Sequence, residues 1–97
     1  MRLYDFINST AGINQTSQLF INHAKNVQPI TQLTITNDAL ICETVVNQPP
    51  LTLHQFIQKT QALPINYRIT FQNKLTTTSI NVWGYRIIHE KHQLVLH

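Results

Sequence analysis

Hydrophobic and polar positions along the chain change period several times, and each change marks an element. Arg2-Leu3-Tyr4-Asp5-Phe6-Ile7 is short, aromatic and β-branched and predicts an opening strand, closed by the turn formers Asn8-Ser9-Thr10 and by Gly12. Ile13, Thr16, Phe20, Ala24 and Val27, joined by His23, then recur at spacings of three and four. That spacing puts them on one side of an α-helix, which Pro29 stops. Over residues 30–36 the period drops to two, with Leu33 and Ile35 on one side and Thr34 and Thr36 on the other. Asn37-Asp38 supplies a turn, and residues 40–46 return as the second strand of a hairpin.

Pro49-Pro50 cannot continue a strand ladder. Thr52 is placed to N-cap a second helix, whose apolar positions Leu53, Phe56, Ile57, Thr60 and Leu63 share a face as far as Pro64. Residues 67–72 alternate again, with Tyr67, Ile69 and Phe71 on one side. Residues 73–79 form a loop or a frayed strand. Residues 80–88 and 93–97 then make a closing hairpin around Glu90-Lys91.

The order is β-α-β-β-α-β-β-β. It predicts one α+β domain over residues 1–97: a ferredoxin-like core with two helices on one face of an antiparallel sheet, extended by a C-terminal hairpin. A second reading is a tandem α-β-β-β duplication. Residues 2–10 match residues 52–60 at an offset of fifty, with Leu, Phe, Ile and Thr at four places, and residues 2–11 are then a helix. That reading leaves the stripe from Ile13 to Val27 unexplained.

The opening Met1-Arg2-Leu3, then Asn8-Ser9, then His23-Ala24-Lys25 leading into a hairpin, resembles a small family of unknown function from lactic-acid bacteria, DUF1827. The likeness covers about the first 45 residues and fails beyond them. It implies a compact α/β protein of a bacterial cytoplasm and brings no catalytic or binding residues with it.

Composition narrows the chemistry. Asp5, Asp38, Glu43 and Glu90 are the only carboxylates, whereas Asn, Gln and Thr make up 31 of the 97 residues. Acid–base and metal-assisted reactions lean on placed carboxylates, so little material exists for such a site. The formal charge of +3 rests on seven Lys and Arg spread singly. The basic balance therefore reflects missing acids more than a cationic cluster of the kind that binds nucleic acid. Cys42 is the only cysteine; it rules out an internal disulfide and reads as a small buried residue. No stretch has the length of a membrane-spanning helix, and the N-terminus lacks the apolar run of a signal peptide, so a cytoplasmic protein is expected.

Three constellations remain. His89, His92 and His97, with Glu90, could converge on a metal in the closing turn, although the spacing is one residue short of the helical zinc motif. Arg68, Lys74, Trp83, Tyr85 and Arg86 bring aromatic and basic groups together in the C-terminal half and could stack unpaired bases. Alternation puts Trp83, Tyr85 and Ile87 on one strand face and Arg86 on the other. Thr-rich strands with few charges, finally, suit pairing with another chain, and Trp83 and Tyr85 would be natural anchors. The leading expectation is a non-enzymatic module without a cofactor that acts by protein contact or self-association. Nucleic-acid binding is the alternative, and a histidine metal site the third.

Overall fold

A computed structural model describes residues 1–73 and 78–97, with the side chains of residues 73 and 78 left aside. Among them are helices α1 (Leu3–Ser9) and α2 (Leu53–Thr60). The strands are β1 (Gln18–His23), β2 (Asn26–Pro29), β3 (Gln32–Ile35), β4 (Ala39–Glu43), β5 (Arg68–Asn73), β6 (Thr78–Asn81), β7 (Tyr85–Ile88) and β8 (Gln93–Leu96). The class is α+β, with two helices and two mixed four-stranded sheets ordered β2-β1-β8-β7 and β3-β4-β5-β6. These two sheets replace the single antiparallel sheet expected, because β1 pairs with β8, and β4 with β5, in parallel.

Three local expectations change. The segment expected as the opening strand is helical from Leu3 to Ser9: Leu3, Phe6 and Thr10, spaced by three and four, are all buried. The stripe from Ile13 to Val27 is a β-hairpin. Leu19 and Ile21 alternate into the core, and Ala24 and Lys25 turn the chain with φ of 52° and 65°, the two positive values a type I′ turn demands. Residues 80–88 are not one strand but β6 and β7, separated at residues 82–84. The hairpin of β3 and β4, the helix after Thr52 and the pairing of β7 with β8 lie where the sequence puts them. Thr52 and Gln55 complete a reciprocal capping box, their side chains each bonding the other's backbone N–H at 3.2 and 2.9 Å.

Two halves repeat at the fifty-residue offset, and each docks on the other. Leu3 donates its N–H to Tyr67 O at 2.7 Å while Leu53 donates to Ser17 O at 2.8 Å. Tyr4 and His54 repeat this with Ile65 and Gln15, both at 3.0 Å. The hydroxyls of Thr10 and Thr60 bond Phe6 O and Phe56 O at 2.8 and 2.9 Å, which satisfies a polar atom buried at each helix end. Between the helices Phe6 and Phe56, fully buried, meet edge to face with centroids 5.0 Å apart. One core gathers both helices, Leu19 and Ile21 from β1, Leu40 from β4, Ile69 and Phe71 from β5, and Leu94 and Leu96 from β8.

Candidate binding surface

The chain leaves β6 at one sheet edge, crosses residues 82–84 and enters β7 at the edge of the other sheet. Val82 anchors this corner inward, 1 % exposed, with its N–H on Ile69 O at 3.0 Å. Trp83 follows with the opposite disposition. Its N–H holds His97 O at 2.7 Å, which fixes the backbone, and its side chain is 76 % exposed. A large indole held open on a fixed backbone is the feature that stands out on this surface.

Beside it, Arg2 and Arg68 form an isolated antiparallel bridge. Directly opposed residues of such a bridge have their β-carbons about 5 Å apart on one face, so two cationic side chains leave the backbone at neighbouring points. Met1, Arg2, Asp5, Arg68, Asn81 and Trp83 line a shared cleft of about 270 Å³. Asp5, one helical turn after Arg2, offsets part of the positive charge, and the balance of the cleft stays cationic.

Of the five binding residues expected from sequence, Arg68 and Trp83 meet here. Tyr85 does not. Its ring packs edge to face on Phe6, centroids 5.5 Å apart, and its hydroxyl donates to Ser9 Oγ at 2.9 Å. Trp83 and Tyr85 therefore do not share an aromatic face, because the expected strand breaks between them. Arg86 is exposed on β7, and Lys74 lies outside the described residues, as do Thr76 and Thr77. Arg2, Asp5 and Asn81 were not expected; only the fold carries residue 2 to residue 68.

The histidines separate. His89 and His92 flank a different cleft, of about 360 Å³, which Ile13, Asn14 and Ser17 complete on the far side. His97 instead lays its ring against Gly84, with Cε1 3.4 Å from where a β-carbon there would sit. Among the described residues no three His, Cys, Asp or Glu side chains come together as a metal site.

Cys42 is fully buried on β4, and burial, with the Glu43 carboxylate as a smaller contribution, pushes its thiol up to about 12. A thiol held neutral is no nucleophile at neutral pH. The native protein is expected to resist a thiol-reactive disulfide reagent at pH 8 and to react once denaturant opens the fold; rapid native labelling would contradict the burial. The same shift sets a pH dependence. The unfolded thiol ionises near 9.0 and the folded one near 12, so protons are released on unfolding between these values. The stability linked to the neutral thiol is complete below about 9 and falls as pH rises toward 12. Denaturation midpoints of Cys42→Ala should fall less steeply over that window than those of the parent.

No helix among the described residues is long and apolar enough to cross a membrane. Comparison with known protein families, with curated proteins and with solved structures gives no match.

Proposed function

We propose that this chain is a small non-enzymatic contact module of the cytoplasm, acting through protein–protein contact that includes self-association, with the Trp83 corner as its contact surface. The observation that carries the reading is the indole of Trp83, 76 % exposed on a pinned backbone, in a cleft that Arg2 and Arg68 also line. Trp and Arg are the residue types that most often dominate binding energy at protein interfaces. A fixed backbone also lowers the ordering cost of binding. A groove between the helices, lined by Tyr4, Ile7, Ile57 and Ile65 among others, adds apolar surface on the same chain. The lone buried thiol, without a disulfide partner, fits a reducing compartment.

Nucleic-acid binding is the second reading, favoured by the same indole in a cleft shared with two arginines, since one base could stack there. It is the weaker one because Tyr85 is turned inward and only one platform remains. Placing a photo-crosslinking amino acid at position 83, in the cells that make the protein, separates the two. A discrete polypeptide adduct, either a second copy or another protein, supports the contact module. An adduct carried on RNA or DNA supports the second reading, and no adduct at all sinks both.

A further inference from the structure

The repeat supplies an internal reference for the cleft between Ser17 and the turn that joins β7 to β8. Residues 10–17 and 60–67 follow one course. Ile13 donates its N–H to Thr10 O and Leu63 to Thr60 O, both at 3.0 Å, while Ser17 donates to Asn14 O at 3.1 Å and Tyr67 to Pro64 O at 3.2 Å. Ser17 O and Tyr67 O then each receive the first N–H of the other half's helix, from Leu53 and Leu3. The strands that follow agree as well: Gln18 opens β1 opposite Gln93 of β8, and Arg68 opens β5 opposite Ala39 of β4, both in parallel. Ser17 and Tyr67 therefore hold equivalent places, each beside the turn that leads into the neighbouring strand.

What fills the two places differs. Tyr67 is half-buried and packs against the core, and its hydroxyl lies 3.0 Å from both Thr36 O and Asn37 O in the turn between β3 and β4. The phenol thus closes the gap between its own loop and that turn. Serine ends at a hydroxyl on its β-carbon and spans no such gap. The facing turn is also longer. Asn37-Asp38 is enclosed by the pair of Thr36 and Ala39, whereas four residues, His89 to His92, separate Ile88 from its partner Gln93. In place of a ring, this half has the cleft of about 360 Å³, with the buried Ser17 among its walls. Ile13, Ile87 and Ile88 add apolar surface, and His89 and His92 add polar, aromatic surface.

We infer that this cleft is a binding site for a phenol ring brought from outside the chain, its hydroxyl turned toward the carbonyls of Ile88 and His89 as that of Tyr67 meets Thr36 and Asn37. The volume lies at the lower end of the range for small-molecule pockets, and apolar walls with a few polar groups are their usual lining. Isoleucine side chains suit the face of a ring, and imidazoles suit its edge. A phenol also carries a donor for the turn, which a plain hydrocarbon lacks. The Trp83 corner lies at the other end of β8, where His97 follows Leu96, so this site is separate from it and does not depend on the contact-module reading.

Backbone amide resonances of the intact protein are followed during titration with p-cresol, which is the tyrosine side chain as a free molecule, and with toluene, which is p-cresol without its hydroxyl. p-Cresol is expected to shift the amides of residues 12–17 and 87–93 saturably. Toluene should bind about fivefold more weakly, the worth of one neutral hydrogen bond. A blocked glycyl-tyrosyl-glycine peptide identifies the source of the ring: binding as tight as that of p-cresol assigns the site to a tyrosine of a partner polypeptide, and exclusion of the peptide assigns it to a small phenolic molecule. Ser17→Tyr, which supplies from within the ring that the other half has, should abolish the p-cresol response. Ile87→Gln, at a position 41 % exposed, should weaken that response and provides the test if the tyrosine variant does not fold. Shifts that are scattered or do not saturate, shifts centred on the groove between the helices, equal binding of toluene, or p-cresol binding unchanged in the folded variants overturns the inference.

Discussion

Phe6→Ala is expected to cost about 3–5 kcal/mol of folding stability, in the range of large aromatic deletions from a packed core. Phe6 is fully buried, meets Phe56 edge to face at 5.0 Å and carries Tyr85 at 5.5 Å on another side. Removing it leaves a void where the two helices and β7 meet, and three elements cannot all close on it. A domain of this size holds roughly 5–15 kcal/mol in total, so the variant should sit near its unfolding midpoint at room temperature or fail to fold. Phe56→Ala should behave alike, since the repeat gives it the equivalent place. Because the rings touch, the double variant should lose less than the two single losses added together. Urea unfolding monitored by circular dichroism measures all three. A Phe6→Ala loss below about 1 kcal/mol would mean that the interface between the helices is not the centre of this core. Trp83→Ala is the contrasting control: at 76 % exposure it should shift stability by no more than about 0.5 kcal/mol, as surface changes usually do.

The same pair of phenylalanines shows what could be read from sequence and what could not. Residues 53–60 declare a helix because Thr52 caps it and Leu53, Phe56 and Thr60 fall at helical spacing. Leu3, Phe6 and Thr10 have that spacing too. There, however, Arg2 provides no side-chain cap, and the run Leu3-Tyr4-Asp5-Phe6-Ile7 imitates a strand. The fifty-residue match with residues 52–60 points the other way, to a helix. Against that match stands the stripe from Ile13 to Val27, whose spacing is coincidental: Leu19 and Ile21, which enter the core from this segment, are not on the stripe. Strand partners were harder still. Nothing local in residues 18–23 points to residues 93–96, because parallel pairing across the chain is set by the shared core. The binding surface divides along the same line. Arg68 and Trp83 were visible as residue types, while Arg2 joins them only through a bridge between distant segments.

That cross-pairing leads to the second large effect. Cutting the chain between Asn47 and Gln48 should leave two fragments that are unfolded apart and folded together. Every helix and sheet draws on both sides of the cut. α1 hangs its first N–H groups on Tyr67 and Ile65, α2 hangs its own on Ser17 and Gln15, and each sheet is joined at its centre by a pair from different halves, β1 with β8 and β4 with β5. A separated half would carry two-stranded pieces whose central edges are bare, and an isolated two-stranded hairpin is marginal in water. Its single short helix would have lost the ring against which it packs. Mixing the fragments restores the parallel pairs and the contact between the phenylalanines at the cost of association, so folding becomes dependent on concentration. The expected record is weak, non-cooperative circular dichroism from either fragment alone and a cooperative melt from the equimolar mixture, with a midpoint that rises with concentration. The site of the cut matters little to the core, since Asn47 has a left-handed φ of 67° in an exposed turn. If either fragment melts cooperatively by itself as a monomer, the halves are autonomous and the exchange of strands between them is not what holds the molecule together.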